Sequence, residues 1–270
     1  MNDKYDPVSR LDFDLGDRVA IITGAASGIG TAIAKAFTKS GARVAAVDRD
    51  IDRLKKVVDE MNSSGGTAIA IETELTDTDA ITRVVETSLE NFGKINVLVH
   101  CAGIFAPLPF DETTREDFIR HMDVNLLAPF ELSRLALPHL EPGSAIIFVT
   151  STTERIGSPY TTAYAASKAA LSSMMRVMAV ELAARDICVN AVSPGFTATP
   201  MNEFLRSDQA IVDEAIACIP AGRLAEPEDI APSVVFLASK GARYIQGMIL
   251  GVEGGYPSTP DVNRIKKTEP

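Results

Sequence analysis

Short apolar runs alternate with longer amphipathic stretches along most of the chain. The short runs are rich in β-branched residues and nearly continuous in apolar character, which predicts strands covered on both faces; they are residues 19–22, 43–47, 68–71, 95–99, 145–149, 187–192 and 248–252. The stretches between them predict helices, over residues 28–40, 51–62, 77–92, 115–137, 163–184 and 227–239. Strict alternation of strand and helix predicts an α/β fold, a doubly wound seven-stranded parallel sheet with helices on both faces.

Length and composition favour one large domain. The 270 residues are 46% hydrophobic and 23% charged, close to the globular average. Residues 13–256 carry the strand and helix pattern, whereas residues 1–12 and 257–270 have few apolar anchors and are predicted to be flexible. Residues 196–220 lack a strong strand signal between a strand and the last helix, which predicts a lid.

Charge and cysteine usage exclude several classes of function. The net charge of −10 disfavours a general binder of nucleic acid or anionic membranes, because phosphate contacts need clustered Lys and Arg. Neither a membrane span nor a signal peptide is apparent, so we expect a cytoplasmic protein with no membrane partner. Three cysteines without C-x-x-C spacing fit a reducing compartment, and the scattered histidines offer no metal pair, so no metal site is predicted.

A glycine-rich turn follows the first predicted strand. Such a turn lets the backbone approach a pyrophosphate, and free N–H groups at the start of the next helix favour the anion. The residues assigned to it are Thr23, Gly24, Ser27, Gly28, Ile29 and Gly30. Asp48 closes the second strand, 18 residues after Gly30, where a carboxylate accepts hydrogen bonds from ribose hydroxyls.

Asp48 also bears on the choice of coenzyme. A 2′-phosphate about 4 Å away would be repelled by roughly 1–4 kcal/mol, which favours NAD over NADP. Arg49 comes next in the sequence and could pair with such a phosphate, which would blunt the preference. We therefore expect NAD, with NADP as the weaker alternative.

Three polar residues suggest proton-transfer chemistry. Tyr164 and Lys168 lie four residues apart on a predicted helix, so their side chains share one face, and an ammonium beside a phenol lowers the tyrosine pKa. Ser151 follows the fifth strand, at the carboxyl edge where open α/β sheets bind ligands. Taken singly, a solvated Tyr–Lys pair and a capping serine are the ordinary interpretations.

Together, and in this order, these motifs resemble the classical short-chain dehydrogenases/reductases over residues 13–256. The resemblance rests on the 23–30 turn, Asp48, His100-Cys-Ala-Gly103, Asn125, Ser151, Tyr164-x-x-x-Lys168 and Ser193-Pro-Gly195. It implies a single-domain Rossmann fold and an NAD(P)-dependent oxidoreductase.

The resemblance also implies roles. Tyr164 would be the general acid/base, Ser151 would hold the reacting oxygen, Lys168 would bind the nicotinamide ribose, and Asn125 would hold a water. Leu75 would contact the adenine. The other implied coenzyme contacts are Glu74, Cys101, Ala102, Gly103, Pro194, Gly195, Thr197 and Thr199.

The chain departs from the family pattern at two places. His100-Cys101 stands where the family usually has Asn-Asn, so backbone groups, His100 or water must replace two amide side chains. We expect a structural role for His100 and a packing role, not a nucleophilic one, for Cys101. Glu74 stands where an aspartate is common, which leaves its contact with the adenine open.

The substrate pocket is expected to involve Phe105, Thr153, Glu154, Tyr160 and the 196–220 segment. Polar Thr153 and Glu154, beside Ser151 and Tyr164, favour a small-molecule alcohol or ketone of polyol or sugar-like type. The alternative is a 3-oxoacyl-thioester reductase, against which stand Asp48 and the lack of a basic patch for an acidic carrier. A coenzyme-binding protein without turnover is a third hypothesis.

Self-association is a further expectation. The predicted 163–184 helix carries many alanines and Met174, Met175 and Met178, and much of the 122–137 segment is apolar. Both helices could simply cover the sheet. In the resembling family they pair between subunits, which implies a homotetramer built from dimers.

Overall fold

Seven parallel strands form one sheet, as the apolar pattern predicts. The computed structural model describes residues 13–256, so the predictions for residues 1–12 and 257–270 lie outside the described residues. The strands are β1 (Val19–Thr23), β2 (Arg43–Asp48), β3 (Thr67–Glu72), β4 (Ile95–His100), β5 (Leu140–Val149), β6 (Cys188–Pro194) and β7 (Ile249–Val252). Their order is β3-β2-β1-β4-β5-β6-β7. The order reverses between β1 and β4, and ligands of open α/β sheets bind at such a point.

Helices cover both faces of the sheet, which confirms the predicted single-domain Rossmann-like architecture. They are α1 (Gly28–Lys39), α2 (Ile51–Ser63), α3 (Thr78–Phe92), α4 (Arg115–Met122), α5 (Ala128–Ala136), α6 (Thr162–Leu182), α7 (Glu203–Arg206), α8 (Gln209–Ala217) and α9 (Pro227–Ala238). One core packs α1, α2 and α9 on the sheet, and the other packs α3, α5 and α6. Within residues 13–256, no helix combines the length and apolar character that crossing a membrane requires.

The helix predicted over 115–137 is not continuous. A π-helical segment, Asp123–Leu127, separates α4 from α5. Pro129 has no N–H to donate to the carbonyl of Asn125, which removes one bond of a regular helix. The N–H of Ala128 instead reaches the carbonyl of Asp123, five residues back. This wider turn buries Asn125 completely.

The 196–220 segment contains the two short helices α7 and α8, between β6 and α9. Its first part lies against the glycine turn, because a Cβ on Gly28 would come 3.1 Å from the Thr199 Cγ2. A bridge between Thr197 and Ala225 ties its start to the residues before α9. The segment thus covers the point where the strand order reverses, and its role as a lid remains a prediction.

Candidate active site

The glycine turn between β1 and α1 lies directly on the end of β4. Gly24 has a φ of +72°, and a Cβ there would be 2.8 Å from the Cα of Ala102. A Cβ on Gly30 would collide with the carbonyl oxygen of Gly24. Side chains at these positions would push the turn off the sheet edge, so the close backbone approach predicted from the sequence depends on both glycines.

The start of α1 fits an anionic group. Ser27 has an extended backbone, its side chain does not cap the helix, and the first turn carries no acidic residue. The N–H groups and the positive end of the helix dipole therefore favour a phosphate. Next to this turn, one carboxylate oxygen of Asp48 accepts the N–H of Ala26 at 3.0 Å and the other accepts that of Asp50 at 3.0 Å. These residues fit a dinucleotide coenzyme whose ribose lies beside Asp48.

Ser151, Tyr164 and Lys168 meet beyond the end of β5. The Ser151 hydroxyl lies near the Tyr164 hydroxyl and acts to lower its pKa. The Lys168 ammonium is buried, donates a hydrogen bond to the Val149 carbonyl at 2.8 Å, and lies 5.9 Å from the centre of the Tyr164 ring. The structure thus brings together the three side chains that the sequence singled out for proton transfer.

Burial is the largest cause of the pKa shifts of Tyr164 and Lys168. It raises the pKa of Tyr164, and the neighbouring Ser151 hydroxyl opposes that effect only in part. It also lowers the pKa of Lys168 to about 8. The pKa of Tyr164 is therefore raised overall, whereas the sequence predicted a lowered one, because removing the phenolate from water costs more than its neighbours return.

Asn125 fixes the loop that follows β4. Its carbonyl oxygen accepts the N–H of Ile104 at 2.8 Å, and its amide donates to the Ile104 carbonyl at 3.1 Å and to the Ser167 hydroxyl at 3.0 Å. A Cβ on Gly103 would lie 3.1 Å from the Asn125 oxygen and 3.5 Å from the Lys168 nitrogen. Asn125 therefore adjoins Lys168, whereas its role in holding a water stays a prediction.

Aromatic rings line the side of Tyr164 that faces the 196–220 segment. The Phe105 ring meets Tyr164 edge-on, with the ring centres 5.0 Å apart and the planes at 74°. The Phe204 ring, on α7, lies 6.2 Å from Phe105 at 28°. The sequence pointed to Phe105 and to the segment containing Phe204, but no local pattern distinguished Phe204 from its neighbours.

The sequence matches a known protein family over most of its length. A family model described as enoyl-(acyl carrier protein) reductase matches residues 24–257. The chain belongs to the short-chain dehydrogenase/reductase family. It is accordingly an oxidoreductase with a nicotinamide coenzyme.

Three relatives in this family differ in substrate and coenzyme. The 3-oxoacyl-[acyl-carrier-protein] reductase of Thermotoga maritima is 38% identical, over 89% of this chain and 98% of its own length. A putative NAD(P)-dependent gluconate 5-dehydrogenase from Beutenbergia cavernae with bound NADP has a TM-score of 0.86 at 39% identity, covering 92% of this chain and 100% of that one. A 7α-hydroxysteroid dehydrogenase in complex with NADH and 7-oxo glycochenodeoxycholic acid has a TM-score of 0.86 at 34% identity, covering 90% and 96%.

The Thr23 hydroxyl binds backbone groups around His100-Cys101, the place where the usual Asn-Asn of short-chain dehydrogenases/reductases is missing. It accepts the N–H groups of Cys101 and Ala102, each at 3.1 Å, and donates to the Val99 carbonyl at 3.4 Å. The end of β4 is thereby tied to β1 through one side chain. Burial raises the pKa of the Cys101 thiol to about 12. A protonated, half-buried thiol agrees with the expected packing role.

The His100 side chain points into the core of the protein. Its ring stacks on Phe148, with centres 4.8 Å apart and planes at 14°, and its Nε2 is hydrogen-bonded to the Ser133 hydroxyl at 2.9 Å. Burial lowers the pKa of His100 to about 3, so the ring is neutral at physiological pH. These contacts give it the structural role that we expected. Ser133 comes from α5, and nothing in the sequence linked it to His100.

The remaining coenzyme residues of the short-chain dehydrogenase/reductase pattern lie along the same sheet edge. Pro194 ends β6, and the N–H of Gly195 donates to the Val252 carbonyl at 2.9 Å. The Thr197 hydroxyl donates to the Gly195 carbonyl at 3.1 Å. Past β3, Leu75 is half-buried and Glu74 is exposed, accepting the Thr76 hydroxyl at 3.2 Å. Glu74 thus bonds within its own loop.

The two predicted polar substrate residues are engaged inside the protein. The Thr153 hydroxyl donates to Ser151 at 3.0 Å. The Glu154 side chain is only 2% exposed and accepts a hydrogen bond from Ser172 on α6. The next residue, Arg155, forms an ion pair with Glu253 at the end of β7. The Glu154 carboxylate is thus buried beside α6 and near enough to Lys168 for its charge to raise the pKa of that ammonium, and its contact with the substrate stays a prediction.

Proposed function

We propose that this protein transfers hydride between a nicotinamide coenzyme and a secondary alcohol or ketone, with Tyr164 as the general acid/base. The buried Lys168 ammonium, which is bonded to the Val149 carbonyl at the end of β5 and lies 5.9 Å from the centre of the Tyr164 ring, is the observation that carries the proposal, with Ser151 following on the same strand. It lies at the sheet edge next to the glycine turn, where the bound coenzyme would accept or supply the hydride. A cytoplasmic location stays a prediction of the sequence.

Each polar side chain has one task in this proposal. The Ser151 hydroxyl donates a hydrogen bond to the substrate oxygen and fixes its position, while Tyr164 gives that oxygen a proton or takes one from it. Lys168 binds ribose hydroxyls, and Asn125 holds the loop beside it. Because burial raises the pKa of Tyr164, the phenol is protonated at neutral pH and ready to donate during ketone reduction.

NAD is the coenzyme that the charges favour. The Asp48 carboxylate is held by two backbone N–H groups at the place where a 2′-phosphate would lie. Its negative charge would repel that phosphate by roughly 1–4 kcal/mol. Exposed Arg49 offers a counter-charge to NADP. The preference for NAD is a proposal, because the relatives include one complex with NADP and one with NADH.

Three hypotheses about the finer function follow from the sequence, and two of them name a substrate class. The polyol hypothesis rested on Thr153 and Glu154, which are both bonded within the protein, so it has lost its main support. The 3-oxoacyl-thioester alternative is supported by the 38% identity to the Thermotoga maritima reductase. A protein without turnover is disfavoured, because mere coenzyme binding gives no reason for the Ser151–Tyr164 pair.

Steady-state rates with a panel of substrates test the proposal. Secondary alcohols, polyols and acetoacetyl thioester are each assayed with both coenzymes, on the wild type, on Asp48→Asn and on the exposed control Asp52→Asn. We expect alcohol oxidation with NAD, and a ratio of NADP to NAD efficiency that rises about ten-fold or more in Asp48→Asn only. Thioester reduction with NADPH as the sole activity would contradict both the alcohol assignment and the NAD preference.

We also propose that the chain assembles through α4, α5 and α6, usually as a tetramer in this family. Exposed apolar side chains mark these helices, namely Phe118, Ile119, Phe130, Val177 and Val180. An apolar face of this kind is typical of a subunit contact. Light scattering at micromolar concentration is expected to give a tetramer, and Val180→Glu a smaller species. A wild-type monomer would remove the proposal.

A further inference from the structure

Two phenylalanines extend the Tyr164 site towards the 196–220 segment. Phe105 contacts the Tyr164 ring edge-on, and Phe204 in turn lies against Phe105, with planes only 28° apart. We call Phe105 and Phe204 the aromatic wall. The Phe204 side chain is 52% exposed, although it is a large apolar group. Phe105 lies between it and Tyr164, so an apolar group extending from a substrate oxygen at Tyr164 would run along Phe105 and cover Phe204.

The polar side chains near the same place are bonded or buried, and one buried oxygen of Glu154, Oε1, has no hydrogen-bond partner among the described residues. Thr153 donates to Ser151, and the carboxylate of Glu154 is buried against Ser172. A substrate with several hydroxyls would lose its water partners against the aromatic wall without gaining protein partners. A hydrocarbon ring loses no hydrogen bonds there and gains contact area against the ring faces.

A third aromatic residue, which is hydrogen-bonded to the Phe105 loop, has an unusual backbone conformation. Tyr160 has a φ of +66°, which is unfavourable for an aromatic residue, and its side chain is 61% exposed. The Leu108 N–H donates to the Tyr160 carbonyl at 2.9 Å, which joins the Phe105 loop to the residues before α6. Such strain is concentrated at ligand sites, where it aims a side chain.

We infer that the substrate is a ring-bearing secondary alcohol or ketone, and that Phe105 and Phe204 hold its ring while Ser151 and Tyr164 hold its oxygen. This inference rests on the proposed function. An alicyclic alcohol places the carbinol carbon and the apolar ring within one compact unit. An open chain with the same number of carbons has to lose more internal freedom to cover the same wall.

The test compares cyclohexanol with hexan-2-ol, which has the same number of carbons, and with a linear polyol. The variants are Phe204→Ala and the matched control Phe13→Ala, since Phe13 is 56% exposed and lies 6.1 Å from the ring of Phe236, away from the aromatic wall. We expect wild-type kcat/KM for cyclohexanol to exceed that for hexan-2-ol about ten-fold or more. Phe204→Ala is expected to remove most of this ratio through KM, whereas Phe13→Ala keeps it.

A binding measurement separates this inference from the proposed function. Calorimetry follows cyclohexanone binding to the enzyme saturated with NAD, where no hydride can be transferred. We expect about ten-fold weaker binding in Phe204→Ala and none of that loss in Phe13→Ala. If Tyr164-dependent turnover occurs but polyols or hexan-2-ol match cyclohexanol, the ring inference is overturned and the proposed function stands. If cyclohexanone binds as expected but no alcohol or ketone turns over, the proposed function fails instead.

Discussion

Replacing Tyr164 with phenylalanine is expected to lower kcat for alcohol oxidation about 10²–10⁴-fold, the usual contribution of general acid–base catalysis. The substitution removes only the hydroxyl and leaves the ring that Phe105 contacts edge-on. The fold and the aromatic wall should therefore be kept.

The control is Tyr244→Phe, because the Tyr244 side chain is 99% exposed. Rates are measured at saturating coenzyme, and NADH affinity is measured by the fluorescence of the bound coenzyme. We expect unchanged NADH affinity in both variants and unchanged turnover in Tyr244→Phe. An undiminished oxidation rate in Tyr164→Phe would show that the mechanism proposed for this site is wrong.

The fold could be predicted from the sequence because its determinants are local. Strands buried on both faces are continuous apolar runs, such as Val19–Thr23. The helices between them show the helical repeat of apolar positions. The break at Asp123–Leu127 was missed, because whether Pro129 ends, kinks or widens a helix depends on its neighbours. Here the buried Asn125, bonded to Ile104 and Ser167, accompanies the widened turn.

The catalytic side chains were predictable for a related reason. Ser151 lies just past a strand end, and Tyr164 and Lys168 share a helix face by spacing alone, so fold and spacing together place them. The direction of Glu154 was not predictable, since it depends on Ser172, 18 residues further along the chain. Tertiary contacts of that kind decided which polar groups face the substrate, and the polyol hypothesis depended on them.

Lowering the pH below about 6.5 is expected to destabilise the folded protein through His100. This pH lies well above the values at which carboxylates titrate. Burial lowers the pKa of His100 to about 3, whereas an unfolded histidine titrates near 6.5. Between those values the unfolded chain binds a proton that the folded protein excludes, so the free energy of unfolding falls as pH falls. The full stability is present above pH 6.5, and its loss amounts to about 1.4 kcal/mol per pH unit below that value.

Chemical unfolding at pH 7, 6 and 5 tests this dependence, and His100 is expected to account for about 2 kcal/mol of the loss by pH 5. His100→Asn carries no titrating group at this position, so its curve should be flatter by that amount. The matched control is His139→Asn, whose exposed imidazole is hydrated in both states, and it should keep the wild-type slope. The slopes are compared, not the absolute stabilities, because losing the stacking on Phe148 lowers stability at every pH. Equal slopes in the wild type and His100→Asn would mean that His100 takes up its proton in the folded protein, against the neutral, buried ring described here.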